Sequence, residues 1–289
     1  PRGTRGVATD SRDVFDRHLG VSRTIPPGTV DVVLWPENAV SLDGPTAGSP
    51  EGEELAVEAR RLGAVLLVGV VEDLPDDRFR NAQVAFAPDG RLVERYDKVH
   101  RVPFGEYAPL RDLVAKVADL SLLPRDAIAG EGPGILTGPD GQRLGVVISY
   151  EVFFGDRARS AILNGGQVLL VPTNAASYAT SQVPDQEVAA ARLRAWETGR
   201  DVVQSAPTGF SAFVSADGKV TQRTDLGAPA VITADVPLRR GTTPYLRTGD
   251  RPWLLLALAC LALPHLVELR ASRSGRRAEP KADHVANEA

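Results

Sequence analysis

The chain has 289 residues, of which 43% are hydrophobic and 24% charged, enough for one large domain or two small ones. A net charge of −4 gives no electrostatic argument for nucleic acid, so we expect no nucleic-acid partner. The single cysteine, Cys260, excludes an internal disulfide. The chain contains no Met and begins with Pro1, so we expect it to be the C-terminal part of a longer protein.

Helices and strands alternate in the predicted N-terminal half. In chain order, the patterns predict a helix from residue 10 or 11 to about 19, a strand at 29–35, a helix at 53–62, a strand at 64–71, and strands at 81–87 and 91–96. The turn Pro88-Asp89-Gly90 joins the last two strands into a hairpin. These elements predict a mixed sheet with helices on its faces.

Two groups of polar residues follow strands in this half. Glu37 comes just after the strand that ends at Trp35, and this is either a turn position or the carboxyl edge of a sheet, where α/β proteins bind ligands. Lys98 is followed by Glu106 and Tyr107 in a loop that Pro and Gly interrupt. A solvated charged loop does not need Pro and Gly to fix its backbone, so we expect a shaped, functional loop.

A third polar group follows the apolar run 146–148. Ser149, Tyr150 and Glu151 stand where a buried strand stops and a helical segment begins. The serine is either a helix cap or a small nucleophile at the edge of the sheet. A Ser/His/Asp hydrolase is the weaker alternative, because no Gly-x-Ser-x-Gly motif is present and only His100 lies near a motif. We found no metal-binding cluster and no phosphate loop, so we expect neither a metal nor a cofactor.

The C-terminal half repeats the alternation. The patterns predict a helix at 153–164, a strand at 167–172, a helix at 185–199, a strand at 201–205, a hairpin of strands 211–215 and 220–224, and a last strand at 230–236. Asn174 follows the strand at 167–172 and is therefore expected at the same edge as Ser149.

The character of the sequence changes after Arg239. Residues 253–267 are an apolar stretch of 15 residues, shorter than the roughly 20 that cross a bilayer core. A buried core helix is therefore an alternative, but Trp253 at one border and several arginines beyond the other favour a transmembrane helix. Residues 268–289 are predicted to be a charged, disordered cytoplasmic tail.

Together the three polar groups resemble the nitrilase (carbon–nitrogen hydrolase) superfamily, whose members use a Glu–Lys–Cys triad in this order. The Lys-x5-Phe-Gly-Glu-Tyr loop and the Tyr-Glu after the nucleophile are similar to the apolipoprotein N-acyltransferase family, membrane enzymes that complete bacterial lipoproteins. The resemblance implies an α/β fold, a nitrilase-like αββα sandwich over residues 1–245, truncated at its N-terminus and followed by the transmembrane helix.

The resemblance also implies roles for individual residues. Glu37 would be the general base, Lys98 would stabilise the oxyanion, and Ser149 stands at the position of the nucleophile. The residues implied to bind substrate are Glu106, Tyr107, Tyr150, Glu151 and Asn174.

At position 149 the chain departs from the family pattern. The family nucleophile is cysteine, whose thiol ionises near neutral pH beside a cation, whereas the hydroxyl of Ser149 needs a base during attack. Three alternatives therefore stay open for Ser149: an engineered change, a slow enzyme, or a homologue that has lost its chemistry.

The resemblance further implies partners and a location. A phospholipid would donate an acyl chain to the N-terminal S-diacylglyceryl-cysteine of a lipoprotein. The protein would lie in the cytoplasmic membrane of a bacterium, with its catalytic domain on the extracytoplasmic face. Two rivals remain, which are an amidase that uses water as acceptor and a non-enzymatic homologue that binds without turnover.

Overall fold

The computed structural model of the protein describes residues 10–121, 123–178 and 180–276. The chain divides into two units, one that ends at Arg247 and one that begins at Thr248, and each is considered by itself. The first unit contains two β-sheets and the helices that cover them, and the second contains one long helix.

One sheet is built from the N-terminal half of the first unit. In the described part of the chain its five strands are β1 (Val32–Leu34), β2 (Val40–Leu42), β3 (Val65–Asp73), β4 (Phe79–Phe86) and β5 (Leu92–Asp97). The order is β1-β3-β4-β5. Strand β2 also pairs with β3, at residues 70–72, whereas β1 pairs with residues 65–67 of the same strand. Helices α1 (Ser11–Ser22) and α2 (Pro50–Leu62) begin at the side-chain caps Asp10 and Ser49.

The other sheet is built from the C-terminal half. Among the described residues its six strands are β6 (Ile135–Thr137), β7 (Arg143–Val146), β8 (Val168–Pro172), β9 (Val202–Ser205), β10 (Ala212–Val214) and β11 (Val220–Arg223), in the order β11-β10-β9-β8-β7-β6. Its helices are α4 (Gly155–Leu163) and α5 (Val183–Thr198), and a short helix, α3 (Arg111–Val114), lies in the segment between the sheets. Strands β7, β8 and β9 are parallel.

Strand β3 explains why the fold has four layers. Its side chains alternate between two faces, and both faces are buried. Leu66 and Val68 pack in the core that contains α1 and α2, whereas Val65 and Leu67 pack in a second core with side chains of β7 and β8. A third core joins the second sheet to α4 and α5. The predicted αββα sandwich is therefore confirmed.

Most predicted elements of the first unit are present with shifted ends, but one is wrong. No strand forms at residues 230–236, although the segment alternates in the way a strand does. Most of its side chains are exposed, and Val236 alone in it packs partly against the core between the sheets. An alternation of apolar and polar residues forms a strand only where a neighbouring strand offers backbone hydrogen-bond partners. Strand β11 is the edge strand of the second sheet, and it does not pair with residues 230–236.

Helix α6 (Pro244–Thr248) ends the first unit, and the second unit contains helix α7 (Arg251–Arg276). Within the described ranges, no helix is both long enough and apolar enough to cross a membrane, so the transmembrane helix predicted at 253–267 is not confirmed. Its apolar stretch gives way to Glu268 and Arg270 after 15 residues. The tail predicted to be disordered from 268 is helical as far as Arg276, and residues 277–289 lie outside the described ranges.

The core between the sheets gives a test of the fold. Leu67 is fully buried there, so Leu67→Ala is expected to lower the free energy of unfolding by about 2–5 kcal/mol. The matched control is Val57→Ala, because Val57 is 57% exposed and its truncation is expected to change stability by less than about 0.5 kcal/mol. Urea unfolding followed by circular dichroism measures both, and equal effects would contradict the packing described here.

Candidate active site

Glu37 follows β1, and a glycine in the neighbouring strand fixes its backbone. A Cβ at Gly69 of β3 would lie 2.2 Å from the Pro36 carbonyl oxygen and 2.7 Å from the Glu37 Cα. A side chain at position 69 is therefore excluded unless this backbone moves. The close approach holds the Glu37 main chain against the sheet, and the Glu37 side chain is 4% exposed.

Lys98, directly after β5, is the centre of a buried ion cluster. Its Nζ donates to Glu37 Oε1 at 2.7 Å and to Glu106 Oε1 at 3.0 Å. Asn81 of β4 donates through Nδ2 to the same two oxygens, at 2.8 and 3.0 Å. Burial acts to lower the pKa of Lys98, but the charges of Glu37 and Glu106 outweigh it, so its pKa is raised and the amine stays charged.

Glu106 also fixes the loop that leads away from Lys98. Its Oε2 accepts the Val102 N–H at 2.7 Å, so the carboxylate closes the turn between residues 102 and 106. Burial acts to raise the pKa of Glu106, but the charge of Lys98 and the hydrogen bonds from Val102 and Asn81 outweigh it. The pKa of Glu106 is therefore lowered, and the residue is a charged partner of Lys98 at neutral pH.

Ser149 begins a sharp turn just after β7. Its φ angle is +48°, a left-handed conformation that costs energy for any residue with a side chain. The chain then enters a 3₁₀ turn, Ser149–Phe153. The hydroxyl lies 3.2 Å from Thr173 Oγ1, at the end of the neighbouring strand β8. The parallel strands β7 and β8 thus deliver two hydroxyl groups to one edge of the sheet.

Behind these hydroxyl groups lies Glu187 of helix α5. It is 2% exposed, and its Oε1 accepts a hydrogen bond from Thr173 Oγ1. Its Oε2 is buried without a hydrogen-bond partner among the described residues. Burial, reinforced by the charge of Glu37, raises the pKa of Glu187 to about 7, although the hydrogen bonds with Thr173 and Ser149 and the charge of Lys98 oppose the shift.

These groups line a cavity of about 400 Å³. Its charged or reactive wall consists of Glu37, Lys98, Glu106, Ser149 and Glu187. Its apolar and aromatic wall consists of Val102, Tyr150, Phe153, Tyr178 and Val183. A small reactive centre therefore faces a larger surface that suits an apolar substrate group.

The sequence-predicted residues divide into two sets in the structure. Glu37, Lys98, Glu106, Ser149, Tyr150 and Asn174 all line the cavity. Tyr107 and Glu151, which were predicted to bind substrate, do not line it. The Tyr107 ring packs under the guanidinium of Arg101, with 4.2 Å between Arg101 Cζ and the ring centroid.

Glu151 instead holds together the two segments that contain Lys98 and Ser149. It is fully buried and accepts the Ile148 N–H at 2.8 Å, just before Ser149. It also accepts the N–H groups of Val99 and His100, at 2.8 and 3.0 Å, just after Lys98. One carboxylate therefore fixes the backbone on both sides of the cavity.

Three residues at the site were not found from the sequence: Asn81, Thr173 and Glu187. Glu187 left a signal, because it falls on the buried face of α5 with Val188, Ala191 and Ala195, where an acidic residue is unusual. No sequence pattern distinguishes Asn81 and Thr173, since single polar residues at strand positions are common. In the part of the chain that the structure describes, no group of His, Cys, Asp and Glu is arranged to hold a metal ion.

Comparison with known proteins gives the family. The family model described as carbon-nitrogen hydrolase matches residues 2–243. The protein named apolipoprotein N-acyltransferase of Mycolicibacterium smegmatis is 31% identical to this chain, over 85% of this chain and 42% of that protein. The protein of the same name from Methylococcus capsulatus is 32% identical, over 86% of this chain and 49% of that protein. The chain thus spans about half the length of these curated relatives.

Solved structures agree on the fold. An amidase from Nesterenkonia sp. AN1, described with a covalent adduct at its active-site cysteine, gives a TM-score of 0.56 at 18% identity, over 75% of this chain and 81% of that one. Nit3 of Saccharomyces cerevisiae, a member of the nitrilase superfamily, gives a TM-score of 0.58 at 19% identity, over 77% of this chain and 83% of that one. At these identities the likeness concerns the fold alone.

The ion cluster predicts a pH-dependent loss of stability. In Lys98→Met the carboxylates of Glu37 and Glu106 lose their cation, and we expect a loss of about 3–5 kcal/mol at neutral pH. Because the folded pKa of Glu106 is lowered, its stabilising contribution is present above the unfolded pKa of about 4.3 and is lost as the pH falls through the folded value. The deficit of Lys98→Met should therefore shrink in acid.

Urea unfolding at neutral pH and near pH 4 measures this difference. The matched control is Lys116→Met, which removes an exposed lysine. A deficit of equal size at both pH values would show that lost packing, rather than lost charge, causes it.

Glu187 predicts the opposite pH dependence. Its folded pKa of about 7 lies above its ordinary value of 4.5, so the folded state binds the proton more tightly, and stability falls as the pH rises between those values. The loss is about 3 kcal/mol at most. The Glu187→Gln side chain cannot ionise, so this variant should not lose stability over that pH range. The control is Glu53→Gln, which changes an exposed residue and should lose stability as the native chain does. Parallel pH–stability curves for all three would refute the burial of an ionisable Glu187.

Proposed function

Because the chain belongs to the carbon–nitrogen hydrolase family, we propose that it carries the catalytic domain of an apolipoprotein N-acyltransferase-type enzyme. In this proposal an acyl chain passes from a phospholipid to Ser149 and then to the α-amino group of an S-diacylglyceryl-cysteine on a lipoprotein. The observation that carries it is the cavity in which Ser149 meets the buried Lys98, Glu37 and Glu106 beside an apolar wall. Relatives named for this activity support it.

Charge placement suits the first half of the reaction. Ser149 Oγ bonds to the ester carbonyl carbon of the phospholipid, and the carbonyl oxygen becomes an oxyanion. An ammonium group has three hydrogens, and those on Lys98 that Glu37 and Glu106 do not take are available for the oxyanion in the cavity. Backbone amides after Ser149 assist. Glu37 is the proposed base that takes the proton and returns it to the leaving lysophospholipid.

In the second half the lipoprotein amine attacks the acyl-enzyme. The carbon–nitrogen bond forms, the Ser149 ester bond breaks, and the amine loses a proton that Ser149 regains. Splitting one aminolysis into two steps through a covalent intermediate predicts ping-pong kinetics. An oxygen ester is less reactive toward amines than a thioester, so the serine slows this half.

Apolar surface beside the cavity suits a lipid. Phe153 and Tyr178, which line the cavity, are 40% and 48% exposed. The segment that starts at Val102 on the cavity wall also exposes Phe104, Leu110, Leu113 and Val117. Both proposed substrates are lipids or lipid-modified, so the site would work at a membrane surface. We place it on the extracytoplasmic face of a bacterial cytoplasmic membrane as part of the same proposal.

Mass spectrometry of the intact protein tests the proposal. After incubation with phospholipid, an acyl adduct on Ser149 is expected, and a faster one in Ser149→Cys, because a thiolate attacks more readily than an alcohol. Lys98→Ala and Glu37→Gln should each lower the adduct by about 10²-fold or more. Lys219→Ala, at a distant surface turn, is the control.

Two other outcomes point to the rival functions. Release of ammonia from a small amide such as butyramide, without an acyl adduct from phospholipid, would favour an amidase that uses water as acceptor. An ordered Ser149→Cys protein that forms no adduct would refute the acyl-enzyme and favour a homologue that binds without turnover.

A further inference from the structure

Glu187 is not used by the acyl transfer proposed above, although it lies at the nucleophile. It lines the cavity, is nearly inaccessible, and keeps one oxygen, Oε2, without a partner among the described residues. A buried carboxyl group with an unsatisfied oxygen is costly for stability. Because it sits beside the reactive hydroxyl, a chemical role is a physical explanation for that cost.

Glu37 is poorly arranged to take the proton of Ser149 directly. Its Oε1 is occupied by Lys98 Nζ at 2.7 Å and Asn81 Nδ2 at 2.8 Å. The Ser149 hydroxyl lies within hydrogen-bond distance of Thr173 Oγ1 and also acts on the Glu187 carboxyl as a hydrogen-bonding group, whereas no hydrogen bond joins it to Glu37 among the described residues. A general base needs to lie within hydrogen-bond reach of the proton it removes, directly or through one intermediary.

The path from Ser149 through Thr173 to Glu187 meets that requirement. Thr173 Oγ1 lies 3.2 Å from Ser149 Oγ and donates a hydrogen bond to Glu187 Oε1. A hydroxyl group has one hydrogen, so Thr173 cannot donate to both neighbours at once. With that hydrogen on the Glu187 side, Thr173 accepts from Ser149, and the two hydroxyl groups form a chain that points toward the carboxylate.

We infer that Glu187 is a second acid–base group of this site, which removes the Ser149 proton through Thr173 and so makes serine usable at this position. The inference rests on the acyl transfer proposed above. In it, Glu187 takes the place of Glu37 as the base that removes the Ser149 proton when the acyl-enzyme forms. Glu37 then keeps Lys98 in place and serves the incoming amine.

The relay conserves protons and electrons. As Ser149 Oγ bonds to the acyl carbon, its proton moves to Thr173 Oγ1, and the Thr173 proton moves to Glu187, which becomes neutral. When the tetrahedral intermediate collapses, the carbon–oxygen bond of the leaving alcohol breaks and its oxygen keeps the electron pair. Glu187 lines the cavity and returns the proton to that oxygen, so it ends as the carboxylate with which it began.

Few charged groups bear on Glu187. Glu37 and Lys98 act on it across the cavity, the first raising and the second lowering its pKa. Helix α5 packs against strands β9 and β10, neither of which carries a titratable side chain. It also packs against α4 and against the turn at Ser149. The titratable residues on those last two elements are Tyr150, Glu151, Asp156, Arg157 and Arg159. The ionisation of Glu187 therefore depends mainly on its burial, on its hydrogen bonds, and on the charges of Glu37 and Lys98.

Acylation by p-nitrophenyl butyrate tests the relay without requiring the natural substrates. Nitrophenolate leaves as an anion, so the rate reports removal of the nucleophile's proton rather than protonation of the leaving group. Burst absorbance gives the rate, and intact mass identifies the butyryl adduct at position 149. The chains compared are the native protein, Glu187→Gln, Ser149→Cys, and the double variant, each from about pH 5 to about pH 9.

In the serine background, we expect the rate to rise through about pH 7 and then level off. Glu187→Gln should lower it by about 10²–10³-fold and remove the inflection. In the cysteine background Glu187→Gln should cost far less, because the thiolate forms without this base. Thr173→Val should act as Glu187→Gln does, and Thr173→Ser, which keeps the hydroxyl, should restore the rate.

Several results would overturn the relay. An equal loss from Glu187→Gln in both backgrounds would mean that Glu187 acts only on structure. A native chain that does not react, beside a reactive Ser149→Cys, would mean that nothing at the site activates the serine. Failure of the acyl transfer itself appears separately, as nitrophenyl ester reactivity without any adduct from phospholipid.

Discussion

A buried lysine held between two carboxylates is the interaction on which the site depends. Lys98 is 2% exposed, and an ammonium group in that position costs several kcal/mol of desolvation unless it is fully paired. Glu37 and Glu106 supply the pairing, and Asn81 binds both of them. Because these residues come from four separate segments, the need to satisfy one charge fixes the relative positions of β1, β4, β5 and the loop after Lys98.

A second buried carboxylate transmits that order to the nucleophile. Glu151 receives N–H groups from both sides of the cavity, next to Lys98 and next to Ser149. The hydroxyl of Tyr96 also binds it at 2.9 Å. A shift of either segment would leave buried donors unpaired, which costs about 1–3 kcal/mol for each group. The strained backbone of Ser149 is thereby held by its surroundings rather than by its own preference.

Serine changes what such a site must supply. The fixed positive charge of Lys98 suffices to stabilise a thiolate, but an alcohol gives up its proton only to a base during attack. The two carboxyl environments differ accordingly. Glu106 is kept ionised by Lys98, whereas burial raises the pKa of Glu187 to about 7, near the pH at which a proton is exchanged readily. The wall formed by Tyr150 and Phe153 suits an apolar substrate group.

The sequence by itself located most of the strands, helices and cavity residues, and its resemblance to the carbon–nitrogen hydrolase superfamily implied the αββα layers. Alternating apolar runs and turn signals are local properties, so they located the strands, and the order Glu37, Lys98, Ser149 was readable from strand ends. Only the tertiary structure decided that Glu151 supports the backbone instead of lining the cavity, that residues 230–236 form no strand, and that Asn81, Thr173 and Glu187 meet at the site. Those facts depend on which backbone and side-chain partners lie within a few ångströms in space, and sequence spacing does not contain that information.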